Sequence, residues 1–188
     1  QLAVAGVVPQ SAPDLSWMDG DVARFGLPAR VALLVPGASP HRPAKRWPPA
    51  NFAEFARRLA ARGLGAAVLG AAADAPLAAE IRAAAPGAID LCGRTALDDL
   101  VPLGRACAIA LGNDTGPMHW VAASGAPVLA LFSAQSDPAL CAPRGRATRF
   151  LRRPALDGLG VDEVEAAALG LLDAAARLSP GQALPASP

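Results

Sequence analysis

The sequence has no tyrosine, and aromatic residues occupy only 4% of its 188 positions. Proteins that hold single-stranded nucleic acid stack its bases on aromatic side chains, so this scarcity argues against such a platform. The net charge is also unsuited to nucleic-acid binding, because 17 basic and 16 acidic residues give a net charge of only +1. Binding to a phosphate backbone needs a basic patch or stripe. We therefore expect no nucleic-acid partner.

Cysteine and histidine are also scarce. The three cysteines, Cys92, Cys107 and Cys141, lie far apart and form no C-x-x-C pair. Such a set is typical of buried thiols in a reducing compartment and not of a disulfide framework or a zinc site. The two histidines, His41 and His119, have no partner at ligand spacing. We therefore expect no metal centre and a cytoplasmic location.

No apolar run approaches the ~20 residues that a membrane-spanning helix needs. Alanine dominates the 53% of hydrophobic residues, so that fraction overstates how apolar the chain is. The first residues lack both a basic leader and an initiator methionine, so they do not resemble a signal peptide. We interpret the chain as a fragment holding one domain, long enough to bury a sizeable core.

From residue 31 onward, short apolar runs alternate with amphipathic stretches. Alternation of this kind predicts an α/β fold, a Rossmann-like three-layer α/β/α domain with a parallel sheet. The predicted strands are 31–37, 66–70, 88–93, 107–113, 127–133 and 147–153, and the predicted helices are 51–63, 75–87, 96–106 (kinked or shortened by Pro102), 116–125 and 161–178.

The two ends of the chain lack this alternation. Residues 1–29 are rich in Pro, Gly and Asp, and we interpret them as a linker or the remnant of a preceding lobe. The α/β domain then covers residues 30–178. Residues 179–188 carry Pro and Ser and are predicted to be disordered.

One stretch, "NDTGPMHW" at 113–120, follows a predicted strand and opens a predicted helix, the position where ligands bind in parallel sheets. Thr115 can cap this helix, Pro117 suits its first turn, and Gly116 lets a ligand approach the backbone. Free amides and the helix dipole there favour an anion such as phosphate. The alternative is an ordinary strand-to-helix turn.

Asp114 does not fit a simple anion site, because a carboxylate repels phosphate. It must bond the amides of its own loop, pair with a cation, or accept hydrogen bonds from sugar hydroxyls. His119, in the first helical turn, is either a polar core residue or a group that reaches a phosphate.

The loop after the first predicted strand, "PGASPHRPAKRWP" at 36–48, concentrates potential cations that can together neutralise a pyrophosphate. We predict that Lys45 and Ser39 face a ligand. We expect Arg42 to be solvated and Trp47 to pack as a hydrophobic plug. The potential cations are His41, Arg42, Lys45 and Arg46.

A third loop, "LCGRTALDDL" at 91–100, contains a turn from Gly93 to Thr95 that can line a base or a ribose. It can equally be plain helix capping by Thr95, with Asp98 favoured by the helix dipole. The sequence lacks the P-loop motif, a G-x-G-x-x-G after the first strand, and a G-x-S-x-G elbow. These absences disfavour P-loop hydrolases, dinucleotide dehydrogenases and α/β-hydrolases.

Together the segments "PGAS", "AKRWP", "LCGRTALDDL" and "GNDTGPMHW" resemble, in order and spacing, the heptosyltransferases of glycosyltransferase family 9. The resemblance runs from about residue 31 to residue 145. It implies the C-terminal lobe of a two-lobed GT-B enzyme, which transfers heptose from ADP-heptose to a lipopolysaccharide core acceptor. The donor is then a substrate and no cofactor is expected.

The resemblance also implies roles for individual residues. The 115–117 turn would cradle the donor's phosphates, with His119 nearby. Asp114 would face the sugar hydroxyls. Lys45 would stabilise the charge on the leaving pyrophosphate, and Ser39 would add a hydrogen bond. Lys45 and Asp114 are thus the residues expected to contribute to catalysis.

The turn from Gly93 to Thr95 would border the adenine. One departure concerns the segment after "LF", where the family commonly shows Gly-Pro and this chain has Ser133 and Ala134. The departure affects the shape of the donor loop, so the identity of the sugar is not determined by the resemblance.

The resemblance places the acceptor site and general base in an N-terminal lobe that this chain lacks, so we expect donor binding without complete turnover. The parent enzyme would be peripheral at the inner membrane. A GT-B enzyme that uses a UDP-sugar and a non-catalytic sugar-nucleotide-binding module remain alternatives. An aspartic protease, suggested by Asp-Thr-Gly, is disfavoured because that class is β-rich.

Overall fold

The computed structural model describes residues 15–39, 41–179 and 181–185. Its strands are β1 (Val31–Val35), β2 (Gly65–Val68), β3 (Ile89–Asp90), β4 (Ile109–Asn113), β5 (Pro127–Ser133) and β6 (Ala147–Arg153). Its α-helices are α1 (Pro49–Ala61), α2 (Ala75–Ala84), α3 (Leu100–Ala106), α4 (Gly116–Ala123), α5 (Pro138–Cys141) and α6 (Val161–Ala176).

The six strands form one sheet in the order β3-β2-β1-β4-β5-β6, and every neighbouring pair is parallel. The parallel sheet predicted from the alternation is therefore confirmed. In its centre, Ala32 lies beside Ile109 and Leu34 beside Leu111. Such central strands are apolar throughout because helices cover both of their faces.

Alternate residues of β1 belong to different cores. Ala32 and Leu34 lie in a cluster with residues of α1, α2 and α6, while Leu33 lies in a second cluster with residues of α3 and α4. The sheet is thus the middle of three layers, as predicted. Every residue of β1 is buried, which explains why the strand is continuously apolar.

The predicted helix 96–106 is shorter in the structure. Its first part is a 3-10 turn, Leu97–Asp99, and α3 starts at Leu100. Pro102 lies in the first turn of α3, where the backbone N–H groups have no intrahelical acceptor, so the proline is tolerated there. The short helix α5, between β5 and β6, was not predicted, and β3 is shorter than expected.

Most of the two terminal segments is described. Residues 1–14 of the predicted linker lie outside the described residues, and the rest of it lies against α3, where Arg105 donates a hydrogen bond to the carbonyl oxygen of Met18 (2.8 Å). In the tail, the backbone N–H of Leu184 donates to the carbonyl oxygen of Arg146 (2.8 Å). The disorder of the tail stays a prediction. No helix in the described part of the chain is long and apolar enough to span a membrane.

The strand order places a topological switch point between β1 and β4. From β1 the chain continues to β2 and β3 on one side, and from β4 it continues to β5 and β6 on the other. The loops after β1 and β4 therefore diverge and leave a crevice at the carboxyl edge of the sheet. Ligands of open α/β sheets bind at such a crevice.

Candidate functional site

A buried asparagine at the end of β4 joins the two sides of this crevice. Asn113 is fully buried. Its Oδ1 accepts a hydrogen bond from the backbone N–H of Trp47 (3.0 Å), and its Nδ2 donates to the carbonyl oxygen of Pro36 (2.8 Å). One side chain thus fixes both ends of the 36–48 loop against β4. No role is predicted for this residue from the sequence.

Trp47 anchors the same loop in the core, as predicted. Its side chain is fully buried, and its Nε1 donates to the carbonyl oxygen of Leu159 (2.8 Å). Its ring packs edge-to-face on Phe52, with centroids 4.8 Å apart. The indole is therefore not available to stack on a ligand. Its burial instead fixes the backbone just after Lys45.

The cations of the loop have different environments. Arg46 donates to the carbonyl oxygen of Ala38 (2.7 Å), which braces the loop internally. Arg42 is exposed, as predicted, and so is His41. Ser39 is also exposed, and its carbonyl oxygen accepts from the backbone N–H of Arg42 (3.1 Å).

Lys45 reaches across the crevice to Asp114. Its Nζ lies 2.6 Å from Asp114 Oδ2, and the two side chains are only 12% and 10% exposed. Of the three possibilities left open for Asp114, pairing with a cation is the one that the structure shows. Because Lys45 compensates its charge, the carboxylate can lie beside an anion site at a smaller electrostatic cost.

A second donor, Ser136, was missed by the sequence analysis. Its Oγ donates to Asp114 Oδ2 (2.7 Å), the same oxygen that accepts from Lys45. The residue lies 22 positions further along the chain, in the loop between β5 and α5. The only local signal is its place just before the Asp-Pro that opens a helix.

The first turn of α4 is the place where the anion site is predicted. Thr115 occupies the N-cap position with extended backbone (φ −155°, ψ 158°), and Pro117 lies in the first turn. Thr115 is thus the N-cap residue, as predicted, but its side chain makes no capping hydrogen bond. Space is open beside Gly116, where an added Cβ would meet no atom within 4 Å. His119 is exposed, so its interpretation as a core residue is also wrong.

The turn predicted to border a base lies further along the same edge. Gly93 follows β3 and has a positive φ of 70°, which favours glycine. An added Cβ there would lie 3.0 Å from the Cβ of Ala72. Thr95 does not cap the following 3-10 turn, because Ala96 holds that position and its N–H donates to Asp99 Oδ2 (2.8 Å).

Between the turn and the crevice lies Asp74, another residue that the sequence analysis missed. Its Oδ2 accepts from the backbone N–H of Ala71 (3.0 Å). An added Cβ on Gly37 would lie 2.7 Å from the same oxygen, so the carboxylate packs directly against the loop after β1. The candidate site thus continues from Asp114 past Asp74 towards Gly93.

The cysteines are not part of a reactive centre. Burial raises the pKa of the Cys107 thiol to about 12, and burial with the nearby carboxylate of Asp90 does the same for Cys92. Burial also raises the pKa of Cys141. All three thiols are free, and their raised pKa values keep them protonated at neutral pH. Among the residues that the structure describes, no group of three or more potential ligands could hold a metal ion.

A separate cavity of about 730 Å³ lies between β6 and the segment 137–145. None of the predicted site residues lines it. We place the site at the switch point because the polar side chains that were expected to bind a ligand lie on the loops there.

A doubly wound parallel sheet with charged loops at its switch point is the architecture of many nucleotide-binding α/β domains. The family model "Glycosyltransferase family 9 (heptosyltransferase)" matches residues 5–155. The chain therefore belongs to glycosyltransferase family 9, as the sequence resemblance suggested.

Curated relatives agree with this membership. The chain is 37% identical over 151 residues to lipopolysaccharide heptosyltransferase 2 of Escherichia coli K12, an alignment that covers 74% of this chain and 43% of the relative. It is 39% identical over 106 residues to lipooligosaccharide heptosyltransferase 2 of Haemophilus influenzae, which covers 54% of this chain and 30% of the relative. The chain thus spans less than half of each of these relatives.

Solved structures show the same relation in three dimensions. The E. coli ADP-heptose lps heptosyltransferase II superposes with a TM-score of 0.74 and 29% identity, covering 85% of this chain and 51% of that one. The E. coli heptosyltransferase WaaC, solved with ADP, has a TM-score of 0.72 at 21% identity, covers 90% of this chain and 53% of that one, and supports the fold. The domain described here corresponds to about half of a GT-B heptosyltransferase.

Proposed function

We propose that this chain is the donor-binding lobe of an enzyme that transfers heptose from ADP-heptose to a lipopolysaccharide core acceptor. The observation that carries the proposal is the Lys45–Asp114 pair, which lies at the switch point beside the first turn of α4. The backbone at the start of α4 and the Lys45 cation suit the two phosphates of a sugar diphosphate. The Asp114 carboxylate suits the hydroxyl groups of its sugar. The names of the relatives supply the sugar and the acceptor.

The diphosphate would bind at the N-terminus of α4. In the first turn Pro117 has no backbone N–H, and that of Met118 donates to the carbonyl oxygen of Thr115 (3.2 Å). The backbone N–H of Gly116 and the helix dipole therefore favour an anion there, and the Thr115 hydroxyl makes no capping bond that would compete. Lys45 would approach the same phosphates from the opposite loop, with Ser39 and His119 at the exposed rim. Breakage of the glycosidic bond leaves negative charge on the ADP leaving group, and a fixed ammonium stabilises that charge.

The sugar would lie against Asp114. Oδ2 of Asp114 accepts hydrogen bonds from Lys45 and Ser136, whereas none of the described residues donates to Oδ1 of Asp114. An ionised carboxylate accepts hydrogen bonds on both oxygens, so Oδ1 is available to hydroxyl groups. In this role the acid sits beside phosphates because it recognises the polyol attached to them.

The nucleoside would extend along the carboxyl edge towards β3. Strands of a sheet lie about 4.8 Å apart, so the Gly93 turn is roughly 10 Å from the end of β1. That separation suits a nucleoside whose diphosphate occupies the crevice. Asp74, which follows β2, would accept the ribose hydroxyls, as acidic residues near the second strand do in dinucleotide-binding domains. The donor is a substrate, and the proposal requires no separate cofactor.

The acceptor site and the general base would lie in a second lobe. Transfer to an acceptor hydroxyl needs a base within hydrogen-bonding reach and a cleft that orients both reactants. This chain matches only about half of the solved relative. We therefore expect donor binding, and not complete turnover, from these 188 residues. The parent enzyme would act in the cytoplasm, at the inner membrane where its lipid-linked acceptor lies.

We expect Asp114→Ala to lower the affinity for ADP-heptose by about tenfold or more, the effect of losing hydrogen bonds to a charged group. ADP should bind as well as before or better, because the variant removes a negative charge beside the phosphates. Calorimetric titration with the two ligands measures both effects. Asp173→Ala, which removes an exposed carboxylate from the last turn of α6, is the control. Equal losses for ADP and ADP-heptose would contradict the sugar role.

A further inference from the structure

The loop between β5 and α5 is held at both ends. At its start, Ser133 is fully buried, and its Oγ accepts from the backbone N–H of Gln135 (3.3 Å). At its end, the Asp137 carboxylate accepts from the backbone N–H of Ala139 (3.0 Å) and caps α5. Ser136 lies between these two fixed points. The backbone that carries Ser136 is therefore short and constrained, and it holds the side chain beside the end of β4.

Ser136 and Lys45 both donate to one oxygen of Asp114. The two distances to Oδ2 are 2.7 Å from Ser136 Oγ and 2.6 Å from Lys45 Nζ. The backbone N–H of Asp114 donates to the carbonyl oxygen of Leu131 (3.0 Å), so the backbone beside the side chain is fixed to β5 as well. The carboxylate plane is consequently defined by two donors from two different loops.

The two donors differ in how firmly they define that plane. The χ2 torsion of aspartate is broad and roughly two-fold, so the residue can exchange its oxygens at low cost. A lysine ammonium is a mobile point charge on a flexible stem, and it can follow either oxygen. A serine hydroxyl oxygen lies only two bonds from its own Cα, and here that backbone is constrained. Ser136 is therefore the donor better able to fix which of the two Asp114 oxygens the protein holds.

We propose that Ser136 is a positioning residue for donor-sugar recognition: it holds Asp114 Oδ2 so that Oδ1 faces the hydroxyls of the sugar. The inference rests on the proposed function and deepens it, because it assigns sugar discrimination to a residue outside the motifs of the 36–48 and 113–120 loops. Ser136 itself touches no phosphate in this scheme. Its loss should leave the binding of a bare nucleoside diphosphate unchanged.

The test compares ADP and ADP-heptose binding by calorimetry to the 188-residue chain and three variants. Ser136→Ala should lower the affinity for ADP-heptose by about tenfold, as expected for a lost hydrogen bond to a charged group, and change the affinity for ADP by less than about twofold. Ser136→Thr, which keeps the hydroxyl, should restore the preference for ADP-heptose. Gln135→Ala, in the same loop but exposed, should behave like the unmodified chain.

The outcomes separate this inference from the proposal on which it rests. If the unmodified chain prefers ADP-heptose and Ser136→Ala retains the full preference, Ser136 has no positioning role and the proposed function stands. If Ser136→Ala loses ADP and ADP-heptose affinity equally, its role is general to the loop and the inference is wrong. If the unmodified chain binds neither ligand, or gains nothing from the heptose, the proposed function fails and this inference falls with it.

Discussion

Replacement of Lys45 by alanine should weaken the binding of ADP and ADP-heptose alike, by about tenfold to a hundredfold. Two losses add up in this variant. The diphosphate loses a charge-assisted hydrogen bond, worth about 1.5–3 kcal/mol. Asp114 also loses the ammonium 2.6 Å from its Oδ2 and is left as an uncompensated carboxylate beside the phosphates. Calorimetric titration of the variant with each ligand measures the combined effect.

A double-mutant cycle separates the two losses. If part of the effect of Lys45→Ala is repulsion by the unpaired Asp114, then adding Asp114→Ala should restore part of the ADP affinity. Arg42→Ala is the matched control, since it removes an exposed cation from the same loop and should have little effect. An unchanged ADP affinity for Lys45→Ala would show that the ammonium does not contact the phosphates.

Trp47→Ala should lower the free energy of unfolding by about 3–5 kcal/mol, the usual cost of truncating a buried tryptophan. The indole is fully buried and packs on Phe52, so its removal leaves a cavity. The carbonyl oxygen of Leu159 also loses its hydrogen bond from Nε1 and keeps only the longer one from Asn51 Nδ2 (3.5 Å). Because whole domains are stable by only about 5–15 kcal/mol, this loss is a large share of the total. Urea denaturation followed by circular dichroism gives the value directly.

The chain supplies its own control for this substitution. Trp17 is 74% exposed, and Trp17→Ala should change the free energy of unfolding by no more than about 0.5 kcal/mol. The comparison removes any general effect of losing a tryptophan. Similar destabilisation by the two variants would contradict the anchoring role of Trp47.

The layered fold could be predicted because buried parallel strands have a simple pattern. Each residue of β1 faces one of two cores, so the strand is apolar at every position and stands out against the amphipathic helix that follows. The motifs after β1 and β4 carried the family resemblance, and the family is confirmed. The helix ends were predicted less accurately. Pro102 is tolerated anywhere in the first turn of a helix, so the sequence alone does not show that α3 starts at Leu100.

The contacts that organise the site could not be predicted in the same way. Asn113 bonds residues 66 and 77 positions away, and Ser136 reaches Asp114 across 22 positions. Such pairs depend on which strands become neighbours and on how each loop closes, and neither leaves a local pattern in the sequence. Asp74 was missed for the same reason, because its proximity to Gly37 exists only once β1 and β2 are paired.

Binding of an ADP-linked sugar donor by this lobe is measured by calorimetric titration of the 188-residue chain with ADP, UDP and GDP. We expect ADP to bind more tightly than UDP and GDP. A preference for UDP would keep the fold but replace ADP-heptose by a UDP-sugar. Failure of a demonstrably folded chain to bind any of the three would contradict the assignment of the switch-point loops as a donor site.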